Sequence, residues 1–455
     1  MNLKFKVKKS LIPNDGSIDV INQFISNCKD QDLDLLIFPD IHYKKGTNVV
    51  NGMLTASNQY IFPSMLGVAN CGFSFGKIKD CHFKDKDDIL KSFEVLSTKL
   101  KDYNFKKIYT KNQILSFFKD ELNIFYSQNQ NNSLLNFLNI KNQNDISKLI
   151  RSKLSKRHIE MAKCSLGSLG GGNHFFEIHN VIKSHEDDIK VNELIYILHS
   201  DSIAVGSDIL LLHSNLEELN YLKGFDRIKS KLALRKAQII YFLSNNLFFK
   251  DPINVFKLIF SKNKYRGINY NSHLGRELLK SFVIAHVFGE MNRKMILKNY
   301  ESIISSIGVN YKLDPIDSHS HDSINIEFIK GKLKLVQRNG VQKIKSDNKF
   351  VIPGALGTNA FLMKYPSGNE EVYHSCNHGV GRKLDKHLSS KEFSKENTEK
   401  DLLDLNLKLF KIGKGKIEEQ NKKSFKNIED VIAEMKDQNL GYPIAELFPI
   451  CSIKG

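Results

Sequence analysis

Apolar and polar residues alternate from the start of the chain. MNLKFKVKK sets Leu3, Phe5 and Val7 against Lys4, Lys6 and Lys8, the period-two pattern of a strand. A continuous apolar run in DLLIFPD predicts a buried strand that stops at Pro39–Asp40. ELIYILHS predicts another, ending at His199. Further strands are predicted in INIEFIKGKLKLVQRNG, in NKFVIPGALG and in the terminal PIAELFPICSIKG. Helical spacing replaces alternation in DDILKSFEVLSTKLKDY and SLLNFLNIKNQNDISKLI, and over residues 222–248 and 277–307. Residues 384–437 are rich in Lys, Glu and Asn and predict exposed helix. Strands at both ends with helices between predict one α+β body over residues 1–455. Its β-rich core would carry helical insertions at about 83–160 and 384–437.

Composition narrows the class. Of 455 residues, 41% are hydrophobic and 26% charged, as in an ordinary globular protein. No apolar run reaches the ~18 residues of a membrane span, and the charged start lacks a signal-like apolar segment. The expected location is therefore cytoplasmic. The six cysteines form no CxxC pair, so reduced thiols are expected in place of a disulfide framework. The net charge of +17 suits a polyanionic partner, although a solvating lysine bias gives the same number.

Candidate chemistry gathers at glycine-rich strand ends. SLGSLGGGNHFFEI runs three glycines into Asn173-His174, and glycine lets backbone turn at positive φ or approach a neighbour closely. His199 closes LHSDS, His319 and His321 sit two apart in DSHSHDS, His378 lies in SCNHGVGR, and Cys71 lies in ANCGF. A spacing of two puts His319 and His321 on one face of a strand. A thiolate with several imidazoles makes a site for a borderline metal ion, and ligand softness points first to Zn²⁺. GFSFGK resembles a phosphate loop but is one residue short and has Ile78 where Ser or Thr is needed.

Together, GGGNHFFEI, LHSDS, DSHSHDS, IPGALGT, SCNHGVGR and the terminal IKG resemble, in chain order, the RtcB family of RNA-splicing ligases. PDIHYKKG and PSMLGVANCG are similar to its opening segment, and EMNRKMI, with Asn292-Arg293, to its helix. The resemblance implies an RtcB-like fold and a GTP- and Mn²⁺-dependent ligase. Such an enzyme joins RNA 2′,3′-cyclic phosphate or 3′-phosphate ends to 5′-hydroxyl ends in tRNA splicing or RNA repair. It implies His378 as the nucleophile that takes GMP. It implies Cys71, His174, His199 and His321 as ligands of two Mn²⁺ ions. Asn173, Glu177, Pro353, Gly354, His378, Gly379, Gly381 and Lys454 would hold the nucleotide. Expected partners are RNA and GTP, with no membrane and a monomeric state.

The chain departs from the family pattern near the metal. The family's Asp-x-x-Cys aspartate is replaced by Val68 or Ala69, leaving Asn70 as a neutral oxygen that could substitute. His-x-Gly-Ser-Arg-Gly reads His199-Ser200-Asp201-Ser202-Ile203-Ala204, which removes an arginine suited to phosphate. Asp322 stands for an asparagine, and Ala355 and Ala360 for serines. Two other readings keep the fold: an RNA end-processing phosphodiesterase that does not seal, or a non-catalytic RNA-binding relative.

Overall fold

The structure, a computed structural model, describes residues 1–28, 32–43, 49–65, 69–102, 108–128, 133–214, 224–263, 265–329 and 331–455. Val68 lies outside these, as do parts of PDIHYKKG and PSMLGVANCG.

Two sheets form the centre. The larger has eight strands. Its path runs through Lys349–Ile352, Ala360–Lys364, Tyr442–Lys454, Phe175–Ser184, Glu193–Ser200, Gly72–His82 and Lys312–Ser320, with Lys408–Lys411 alongside Tyr442–Lys454. Every pairing is antiparallel except that last one. The smaller sheet has five strands in the order Asn2–Phe5, Asp34–Tyr43, Val50–Ser57, Lys332–Asn339, Asp322–Ile329. The chain passes from one sheet to the other at His321, between Lys312–Ser320 and Asp322–Ile329. GFSFGK lies inside the strand Gly72–His82, where no phosphate loop forms.

Helix His273–Ser306 runs for 34 residues against the larger sheet, with the Ser272 side chain accepting from the Gly275 amide at its start. Its middle, from Phe282 to Phe288, is buried except at His286, because other helices cover the face turned from the sheet. Those helices include Lys111–Gln128, Gln143–Lys153 and Ile203–Leu211, whose apolar residues share one cluster with it. Gly289 sits where the Asn70 turn presses on the helix: an added Cβ would lie 2.9 Å from the Asn70 Cβ.

Residues 384–437 differ from the exposed helix expected of them. They hold the short helices Lys386–Glu392, Lys395–Asp404 and Ile428–Asp437, and the strand Lys408–Lys411. Lys426 and Glu434 are buried there. A mixed-charge composition hides such a segment, because lysine stems can cover apolar surface while the residue reads as polar. No helix among the described residues is long and apolar enough to cross a membrane.

Candidate functional site

One row of residues crosses the larger sheet near its edge. Lys454 pairs with Phe175, Phe175 with His199, His199 with Phe73, and Phe73 with His319. Cys71 and His174 lie just before their strands, so strand pairing alone brings both to the end of that row. The Gly170 and Gly172 backbones have φ of +81° and +80°. An added Cβ on Gly170 would lie 2.6 Å from His174 Nδ1, so the glycine makes room for that imidazole. On its other side the turn receives Gly455, whose amide donates to the His174 carbonyl at 3.1 Å.

The side chains converge. Cys71 Sγ lies 3.2 Å from His199 Nε2 and 3.5 Å from His174 Nε2. His199 Nε2 lies 3.0 Å from His321 Nε2. All four residues are buried. Burial, reinforced by the neighbouring histidines, holds His199 well below its ordinary pKa. Burial also lowers His321, against the pull of Asp322. The Nε2 atoms of His174, His199 and His321 gather around the Cys71 sulfur, while the buried Nδ1 atoms of His174 and His199 have no hydrogen-bond partner. The donor set therefore fits a transition-metal ion. Asp322 Oδ2, 3.4 Å from His321 Nδ1, supplies the outer carboxylate such imidazoles favour. Two groups of three could each hold an ion: Cys71, His199 and His321, and Cys71, His174 and Asp201.

His319 and His321 both lie against the Phe73–Phe75 face, with ring centroids 5.8 Å from Phe75 and 5.6 Å from Phe73 respectively. Only His321 reaches the cluster. His319 Nε2 instead bonds the Lys349 carbonyl at 3.0 Å, because the chain leaves the strand after Ser320. Asn70 is also spent elsewhere. Its amide donates to the His286 carbonyl and to Glu290, and its oxygen accepts from Arg293.

His378 follows the strand Ser375–Asn377, with its ring 4.3 Å from the His321 ring. Its Nδ1 faces two acceptors, Asp40 Oδ2 at 2.6 Å and the Gly340 carbonyl at 2.9 Å. Nδ1 therefore carries a proton, and in the neutral ring the lone pair is on Nε2. Burial works against a charge on this ring, but the Asp40 carboxylate outweighs it and raises the pKa. The imidazole keeps 12% exposure, while Asp40 has none. Lys426 braces the Asp40 backbone by donating to the Pro39 and Ile41 carbonyls at 2.8 and 2.7 Å.

A cavity of about 400 Å³ opens beside this histidine. Asn173, Pro353, Gly354, His378, Gly379, Gly381 and Lys454 line it, as do Arg382 and Lys386. Gly381 has a φ of +73° and is required by its contact with Asp40, whose carbonyl an added Cβ would meet at 2.4 Å. At Gly379 nothing comes closer than 3.6 Å. Glu177 does not line the cavity. It is buried one layer below, accepting from Ser452 at 2.9 Å and lying 3.2 Å from His179. Lys454 sits 5.0 Å over the Phe175 ring. Burial, with Lys386 and Arg382 nearby, lowers its pKa to about 8 against the opposing pull of Glu177.

Asp40 and Asp201 were not singled out from the sequence as site residues, although both stand inside quoted motifs, PDIH and LHSDS. An acidic residue within a histidine motif was the available signal. Asn292 and Arg293 act from beneath the cluster. Asn292 accepts from the Gly167 amide and donates to the Ser168 carbonyl and to Ser200, tying the glycine turn to the His199 turn.

The family model for tRNA-splicing ligase RtcB matches residues 27–455. The RNA-splicing ligase RtcB of Escherichia coli (strain K12) is 25% identical over 238 residues, covering 51% of this chain and 48% of that protein. The tRNA-splicing ligases RtcB of Nanoarchaeum equitans and Methanococcus maripaludis are both 23% identical, covering 65% and 64% of this chain and 61% and 60% of theirs. The chain thus spans about half the length of its E. coli relative and about three fifths of the archaeal ones.

Proposed function

The chain belongs to the RtcB family of tRNA-splicing ligases, and from that premise we propose that it joins RNA 2′,3′-cyclic phosphate or 3′-phosphate ends to 5′-hydroxyl ends through a covalent guanylate on His378. The observation that carries this reading is the pairing of His378 with Asp40 at the mouth of the cavity.

With Nδ1 protonated and bonded, Nε2 attacks the α-phosphorus of GTP. A phosphorus–nitrogen bond forms, the bond to the bridging oxygen breaks, and pyrophosphate leaves. The ring becomes cationic, and Asp40 stabilises that charge from a buried position. A 2′,3′-cyclic end is first opened by water to the 3′-phosphate; an oxygen of that phosphate takes GMP as the phosphorus–nitrogen bond to His378 breaks, and the 5′-hydroxyl, losing its proton, displaces GMP to close the phosphodiester. Lys454, Arg382 and Lys386 bring positive charge to the cavity wall, where a triphosphate would lie. Asn173, Pro353, Gly354, Gly379 and Gly381 would border the nucleotide, and Glu177 would act from below through Lys454. Cys71, His174, His199 and His321 would hold Mn²⁺, which when bound supplies charge to neutralise phosphate oxygens and orient them. The net charge of +17 favours an RNA partner by counterion release.

The test is incubation with Mn²⁺ and α-labelled GTP followed by a denaturing gel. Label retained by the wild type and lost in His378→Ala is expected. An unlabelled wild type overturns the reading. An RNA with a cyclic phosphate end then separates sealing from hydrolysis and from simple binding.

A further inference from the structure

We infer that Asp201 is a metal ligand in this chain, supplying from the turn after His199 the carboxylate that the sequence lacks before Cys71. This rests on the reading that the cluster holds Mn²⁺. No acidic residue stands among the eight positions before Cys71. Ala69 is buried with a methyl side chain, and the Asn70 amide is bonded to the long helix. Three imidazoles and one thiol suit one ion well. A hard, oxygen-preferring ion such as Mn²⁺ at a second position needs an oxygen donor as well.

Asp201 provides one. Its Oδ2 lies 3.4 Å from His174 Nε2, and it forms with Cys71 and His174 a group whose ligand atoms all lie within 4.8 Å of one another. The carboxylate is buried, so it is not an exposed acid pointing at solvent. Its direction is fixed from two sides. Oδ1 accepts from the Ile203 amide, and the Asp201 carbonyl accepts from Asn292 at 3.3 Å. Ile203 has a φ of +45°, a left-handed conformation that a β-branched residue adopts only when the surroundings impose it. The turn is thus bent at a local cost, and the bent turn is the one that aims Asp201 at Cys71 and His174.

The experiment is metal stoichiometry, read without any ligase assay. Full-length protein is stripped with chelator, reloaded with Mn²⁺ alone, desalted and measured by elemental analysis, with calorimetry for affinity. Wild type should hold two ions. Asp201→Asn keeps the acceptor for the Ile203 amide and should weaken one of the two sites by at least ~10-fold, leaving one ion after desalting. Asp201→Ser is the second variant, and metal-free melting shows that each variant folds. Asn70→Ala should still hold two ions. Two ions retained in both Asp201 variants overturn the inference while leaving the Mn²⁺ reading intact. Loss of an ion in Asn70→Ala but not in Asp201→Asn moves the ligand to Asn70 and also overturns it. A wild type that holds no Mn²⁺ removes the Mn²⁺ reading and this inference together, whatever the guanylylation gel shows.

Discussion

His378 Nδ1 lies 2.6 Å from Asp40 Oδ2, and the two residues are 338 positions apart in the chain. A buried carboxylate on the bonded nitrogen favours the tautomer that keeps the lone pair on the other nitrogen, as the proposed nucleophile requires. Asp40→Asn offers an amide that can donate to Nδ1, which would move the ring proton to Nε2. Labelling by GTP should fall by about 10²–10⁴-fold, with melting close to wild type. Labelling within threefold of wild type would remove Asp40 from the mechanism.

Gly170 makes room for His174. Gly170→Ala puts a methyl 2.6 Å from the imidazole at a φ of +81°. The substitution should cost about 1–3 kcal/mol in chemical denaturation. It should also reduce bound Mn²⁺, because His174 must shift. Gly171→Ala is the control, since nothing lies within 4 Å of its added Cβ.

Arg293 is fully buried and donates to the Asn70 and Ser200 carbonyls at 2.8 and 3.0 Å, while pairing with Glu290. Arg293→Met leaves two carbonyls without that donor and removes the guanidinium paired with the half-buried Glu290, which keeps its bonds from Asn70 and Ser318. The expected destabilisation is about 3–5 kcal/mol by denaturant titration. A loss under 1 kcal/mol would mean that Glu290 finds other compensation.

Lys454 titrates near pH 8 because it is buried beside other cations. Below that pH it is charged and would attract the proposed nucleotide; above it the charge is lost. Affinity for GTP should therefore weaken as pH rises through about 8. Lys454→Arg stays charged and should bind evenly over the same range, as followed by calorimetry. An identical pH profile in both proteins would assign the effect to another group.

Much of the strand layout was legible because burial imposes a period. Leu35–Phe38, Ile195–Leu198 and the terminal strand read as strands and fold as strands. The glycine turn before His174 was legible for the same local reason: positive φ is a property of single residues. The segment around Lys408–Lys411 was not, because its pairing partner is the strand Tyr442–Lys454 and a short polar strand carries no period of its own.

The sequence by itself determined the residue types, their order, and the glycines and strand ends that could present them. It held both Asp40 and Asp201 in plain view. Only the tertiary structure decided which acid faces which histidine. It set Asp40 on His378, Asp201 on the Cys71–His174 pair, and Asn70 on the long helix. The reason is physical. Periodicity fixes which face a side chain takes, but contacts between residues hundreds of positions apart are fixed by strand register and by where the chain changes sheets at His321.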